Sequence, residues 1–175
     1  MDESERDPRL RIEKHRILIT VTIVATRFRN VRERSSQMPH NNFHRVTPIL
    51  KVSNFVASMD YYVQKLGFSK KWEWGDPPTF GCVIRDKVSI FFCEGGQGQP
   101  GTWLMIFVEN VDELYADYKH RGAKIVGQPT NMPWGTREMH VEDPDGHRLR
   151  FGSDSDGKPV DMEEVNRFWN ALEPR

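Results

Sequence analysis

The sequence predicts an α+β domain built from two βαβββ repeats that form one curved mixed sheet around a concave cavity. Three observations predict it. The order strand, helix, three strands occurs twice between residues 44 and 154. The copies align at an offset of about 55 residues, pairing Val52 and Asn54 with Val108 and Asn110, and Leu66-Gly67 with Arg121-Gly122. One copy cannot bury both faces of its sheet, whereas two can carry their helices on the convex side and leave the concave side as a cavity.

In the first copy, Thr47 to Val52 reads as a strand with Pro48 near its start, where a missing N–H is tolerated. Asn54 to Leu66 reads as a helix, because Val56, Met59, Tyr62 and Leu66 recur at helical spacing. Ser53 or Asn54 can cap it and Gly67 ends it. Strands follow at Lys70–Trp74, Phe80–Arg85 and Val88–Cys93, with Arg85-Asp86-Lys87 as a tight polar turn. A Gly- and Gln-rich loop, Glu94 to Gly101, separates the copies.

In the second copy, Trp103–Val108 alternates as a strand, and Val111 to Arg121 is a helix capped near Asn110 and stopped by Gly122. Lys124–Val126, Arg137–Val141 and Arg148–Phe151 are strands, with Asp143-Pro144-Asp145-Gly146 as a strong turn between the last two. Beyond the repeats, Pro159 to Leu172 reads as an amphipathic helix. Met162, Val165, Phe168, Trp169 and Leu172 form its apolar stripe, destined for the domain or a partner subunit.

The chain thus divides into an extension (1–43), the duplicated domain (44–154) and a C-terminal helical segment (155–175). Residues 1–43 are read as a poorly ordered extension or as the product of a start codon assigned too early, since Met38 stands just before the domain. Their apolar run, Ile17 to Ala25, falls short of the roughly twenty residues a bilayer span needs. A secretion signal is disfavoured by the long preceding region containing Asp2, Glu3, Glu5, Asp7 and Glu13. Basic and acidic residues balance at 25 each, which gives no argument for nucleic acid or an anionic membrane as partner, and neither is expected. Two cysteines, Cys82 and Cys93, suit a reducing compartment, so the expected location is cytoplasmic.

Several stretches resemble the glyoxalase, or vicinal-oxygen-chelate, superfamily, and within it the bleomycin-resistance branch. They are Thr47-Pro48-Ile49-Leu50, Tyr61 through Leu66-Gly67-Phe68, Phe80-Gly81-Cys82-Val83-Ile84-Arg85-Asp86 and Val111 through Ala116. Pro133-Trp134-Gly135-Thr136-Arg137-Glu138 joins them, running on to Asp143-Pro144-Asp145-Gly146 and Arg150-Phe151. The Asp-Pro-Asp-Gly turn is common to the superfamily; the motifs around Phe80 and Trp134 are more specific to the branch. The resemblance implies the glyoxalase/bleomycin-resistance fold and a homodimer with ligand grooves between its two chains. It also implies that Phe80 and Trp134 clamp a planar ligand and that Pro48 marks where the first strand crosses to the partner.

Metal enzymes of the superfamily place His, Gln or Glu at four strand positions facing the cavity. The matching residues here are Thr47, Phe91, Trp103 and Arg150, which are poor ligands for a divalent ion, so no metal and no cofactor is expected. A different arrangement, Glu138, His140 and Glu142, alternates along one strand and shares one face. Such donors stand about 7 Å apart, wide for one ion without help from another strand. The other reading of that row is a polar cavity wall, with Glu138 or Glu142 paired to Arg148 or Arg150.

By the same alternation Trp103, Met105 and Phe107 face the cavity with Phe91, opposite Glu138, His140 and Arg150. An aromatic wall with few polar anchors suits a flat or amphipathic organic molecule. Phe80, Phe91 and Trp103 can equally be ordinary packing, whereas Trp134, on a loop, is the stronger ligand contact. Trp72 and Trp74, with Lys70 and Lys71, fit an exposed rim or a dimer contact. The expected function is non-catalytic binding of a planar compound; the alternative is a lyase or dioxygenase of the same superfamily with an atypical or absent metal site. Bleomycin is cationic and the domain nearly neutral, which argues against the drug itself as natural ligand.

Overall fold

The computed structural model describes residues 44–171, and the expectations for residues 1–43 lie outside them. The first repeat runs β1 (Ile49–Val52), α1 (Phe55–Gln64), β2 (Ser69–Gly75), β3 (Pro78–Arg85) and β4 (Val88–Glu94). The second runs β5 (Trp103–Phe107), α2 (Val111–Arg121), β6 (Ile125–Asn131), β7 (Thr136–Glu142) and β8 (Arg148–Asp154), and α3 (Met162–Asn170) follows. The duplicated βαβββ order is as the sequence implies. Its eight strands hydrogen-bond as two four-stranded mixed sheets, ordered β1-β4-β3-β2 and β5-β8-β7-β6. β1 pairs in parallel with β4 of its own chain, and Pro48 just ahead of it accepts a hydrogen bond from the Phe91 N–H at 2.9 Å.

The two repeat helices begin alike. Asn54 accepts from the Ala57 N–H at 2.9 Å, and Asn110 accepts from the N–H groups of Asp112 and Glu113. Gly122 closes α2 in the left-handed region at φ 70°, where a side chain would be strained. Both helices press on the same side of their sheets and share one core: Leu50, Phe55, Tyr62 and Phe92 from the first repeat, Val111, Tyr118, Leu149 and Phe151 from the second. Gly81 lets α1 approach, since a Cβ there would stand 2.6 Å from the Phe55 ring.

The Asp143–His147 turn joins the repeats. Asp145 accepts from the Ser53 N–H at 2.7 Å and the Ser58 hydroxyl at 2.8 Å, and Asp143 accepts from the Tyr62 hydroxyl at 3.0 Å. His147 is buried; its Nδ1 accepts from the Thr102 N–H at 3.0 Å, so its Nε2–H donates to the Lys51 carbonyl at 2.8 Å.

β6 is longer than its pattern suggests. Gly127 and Pro129 break the apolar alternation, yet β6 is an edge strand whose ladder to β7 shifts register at Gly127, and an edge with a bulge tolerates both. Among the described residues no helix is long and apolar enough to cross a membrane.

Candidate functional site

Register places the expected wall residues in rows across the open face of the second sheet. Trp103, Arg148 and Glu142 form one row, Met105, Arg150 and His140 the next, and Phe107, Gly152 and Glu138 the third. Their neighbours in sequence, Leu149, Phe151, Met139 and Val141, point to the shared core.

Helix α3 lies over this face. Phe168 packs at a tilt against His140 with ring centroids 4.5 Å apart, and Trp169 stands 5.9 Å from the same ring. Gly127 makes the approach possible: a Cβ there would come within 2.8 Å of the Phe168 ring. Met132, Val165 and Phe168 form a small second core, with Val126 and Trp169 packed against it. Val165, Phe168 and Trp169 of the C-terminal stripe therefore dock on their own domain, over part of the wall the sequence assigns to a cavity.

Glu138 is 1 % exposed, yet it is thoroughly partnered. It accepts from Arg150 Nε at 2.5 Å, Trp134 Nε1 at 2.8 Å and Thr136 Oγ1 at 2.5 Å. Burial alone would raise its pKa; the hydrogen bonds from Arg150, Thr136 and Trp134 outweigh this and hold the carboxyl below its ordinary value. The Arg150 guanidinium lies near two adjacent indoles, 5.4 Å from the Trp134 ring and 5.5 Å from that of Trp169. Glu142 pairs with Arg148 at 2.6 Å and with Lys124.

His140 is wholly buried, and neither ring nitrogen has a hydrogen-bond partner among the described residues. Trp103 meets it edge-on at 5.5 Å. Burial, reinforced by Arg150 and Arg148 against the opposing charge of Glu138, pushes the imidazole down to about 4 and keeps it neutral.

Phe80 and Phe91 belong to the other sheet. They form an aromatic triad with Trp72, at 5.4 Å (Trp72–Phe80), 5.0 Å (Trp72–Phe91) and 5.7 Å (Phe80–Phe91). Phe80 lies on a strand of the first sheet and Trp134 on the β6–β7 turn of the second repeat, with different ring partners. Trp103, Met105, Phe107 and Trp134 are exposed, and Phe107 also lines a groove of about 920 Å³ bordered by Arg85, Lys87, Glu109 and Glu113. Trp169 and Phe168 are the site residues that reasoning on the repeats missed; their amphipathic stripe marked a docking face but not its target.

The side chains at the four positions that the resemblance equates with metal ligands do not suit a metal. Phe91 is in the aromatic triad, Trp103 edges onto His140, Arg150 is bound to Glu138, and Thr47 pairs with the Ser89 hydroxyl at 3.2 Å. In the alternating row, Glu138 and Glu142 are each engaged by cations, and among the described residues no three His, Cys, Asp or Glu side chains converge.

Comparison with known proteins agrees with this architecture. Residues 43–151 match the family model described as the Glyoxalase/Bleomycin resistance protein/Dioxygenase superfamily, and the chain belongs to that superfamily. Among curated proteins none matches significantly. Similar solved structures include TioX from Micromonospora sp. ML1, at 20 % identity and TM-score 0.59, covering 65 % of this chain and 100 % of that one. A bleomycin-binding protein complexed with bleomycin matches at 20 % identity and TM-score 0.55, covering 65 % of this chain and 100 % of its own. A glyoxalase-related enzyme from Clostridium phytofermentans matches at 20 % identity and TM-score 0.58, covering 67 % and 100 %. At such identities the likeness concerns the fold.

Proposed function

We propose that this member of the superfamily is a non-catalytic binding protein that sequesters a planar or aromatic compound, in the manner of the bleomycin-resistance branch. The observation that carries the reading is the state of the wall. Glu138 is saturated by three donors, and burial beside Arg150 and Arg148 pushes the His140 imidazole down to about 4, so neither is a strong general base. The large apolar side chains exposed around this face are aromatic or thioether groups: Trp103, Met105, Phe107 and Trp134. Phe80 and Phe91 offer a second aromatic face on the other sheet. In the proposed homodimer one chain's first sheet faces its partner's second sheet, so that Phe80 and Trp134 flank one ligand. A bleomycin-binding protein shares the fold, and binding that excludes a toxic planar compound would confer resistance. The cytoplasmic location expected of a chain with only two cysteines accords with this role.

Titration calorimetry tests the reading, with bleomycin and a set of neutral planar heteroaromatics run on the wild type, Trp134→Ala and Phe80→Ala. Saturable binding of at least one compound is expected, weakened about tenfold or more by each substitution, the size of one contact of about 1.4 kcal/mol. Failure of every compound to bind, or stoichiometric metal accompanied by turnover, would overturn it in favour of the lyase or dioxygenase alternative. Sedimentation equilibrium checks the homodimer.

A further inference from the structure

The second sheet carries two arginines on one strand face, and they are used differently. Arg150 gives its Nε to Glu138 and its guanidinium lies near two indoles. Arg148 gives its Nη2 to Glu142 at 2.6 Å, but Glu142 is shared with Lys124, and Arg148 Nη1 is buried without a hydrogen-bond partner among the described residues. Diagonally across the β7–β8 ladder is His140, fully buried, with both ring nitrogens in the same condition. The register produces this neighbourhood. His140 stands opposite Arg150 and Glu142 opposite Arg148, so His140 and Arg148 are diagonal neighbours on one face, within reach of a common partner. On β5, Trp103 stands opposite Arg148, half exposed, its ring edge-on to His140.

Buried donors without acceptors are rare and costly, and here they cluster. A neutral imidazole offers one N–H, and Arg148 Nη1 offers another. The ion pairs of this face comprise three cations, Lys124, Arg148 and Arg150, against two carboxylates, Glu138 and Glu142. The complement of such a patch is an acceptor carrying negative charge.

We propose that Arg148 and His140 form a subsite for the carboxylate, or a similar planar anionic group, of an aromatic ligand whose ring stacks on Trp103. One ligand oxygen accepts from Arg148 Nη1 and the other from the His140 N–H, while Trp103 on the edge strand closes the site on the solvent side. The proposal rests on the ligand-binding reading above and narrows it to anionic aromatics.

The test titrates the full chain with three matched probes: 2-naphthoate, 2-naphthalenemethanol and 2-naphthylmethylammonium. Naphthoate is expected to bind at least tenfold more tightly than the alcohol, with the ammonium probe weakest. In Arg148→Met the gap between naphthoate and the alcohol should collapse, and His140→Phe should narrow it. Arg148→Lys, which keeps the charge but loses the planar fork, should lose part of the preference and provides a variant should Arg148→Met fail to fold. Equal affinity for the three probes in the wild type, or a naphthoate preference that survives Arg148→Met, would overturn the anion subsite and leave the planar-ligand reading standing. Binding of none of the probes would overturn the subsite, and the calorimetric panel would then decide separately for the planar-ligand reading.

Discussion

Arg150, 25 % exposed, reaches Glu138 at 2.5 Å, while the carboxylate it holds is 1 % exposed. The pair is asymmetric: losing the arginine leaves a buried charge, whereas losing the glutamate leaves a cation that can turn to solvent. Arg150→Met should therefore destabilise the protein by about 3 kcal/mol, the lower end for a broken buried pair because the arginine is itself partly exposed. Glu138→Gln should cost less. Because the Glu138 pKa is lowered in the fold, its contribution is present above the ordinary carboxylate value of 4.5 and lost as pH falls through the folded value. Urea denaturation of both variants between neutral pH and pH 3 checks both statements.

His140 should give stability a second acid dependence. Its pKa falls from 6.5 to about 4 on folding, so the unfolded chain binds the extra proton between these values. Stability is then expected to decline as pH drops from 6.5 towards 4, by up to about 3 kcal/mol, and this component should vanish in His140→Phe. A slope unchanged in the variant would refute the assignment; the measurement is the denaturation midpoint against pH.

Gly127 sets how closely α3 sits. Gly127→Val places methyl groups where the Phe168 ring lies and should loosen α3 at a cost of about 1–3 kcal/mol, the range for overpacking. Amide exchange should quicken across Met162–Asn170 with the repeat core protected, and Trp169 emission should shift red. Uniform loss of protection would mean that α3 and the core open together.

The Asp145 carboxylate fastens the second repeat to the start of α1 through Ser53 and Ser58. Asp145→Ala should cost about 2 kcal/mol, from two charge-assisted bonds at a partly exposed site. Thermal or urea denaturation reads it, and a cost near zero would show that His147 and Tyr62 suffice to hold the joint.

Much of the fold was legible in the chain. Helix spacing from Val56 to Leu66, the Asn caps, Gly122 and the Asp-Pro-Asp-Gly turn are local signals, each governed by backbone geometry within a few residues. Strand alternation likewise sorted Trp103, Met105 and Phe107 from Leu104 and Ile106. Where Gly127 and Pro129 interrupt the pattern, β6 continues because an edge strand can bulge, which depends on neighbours and not on local sequence.

The site divided differently. The sequence by itself determined which side chains share the open face of the second sheet, because a period of two leaves no other choice, and one of its two readings of that row pairs Glu138 or Glu142 with Arg148 or Arg150, as both glutamates are paired in the fold. Only the tertiary structure decided that α3 docks there, that Trp169 and Trp134 both come near Arg150, and that His140 is buried without a hydrogen-bond partner among the described residues. An amphipathic stripe states that a helix must cover something; what it covers depends on shape, here on the missing side chain of Gly127, which lies 41 positions before Phe168 in the chain.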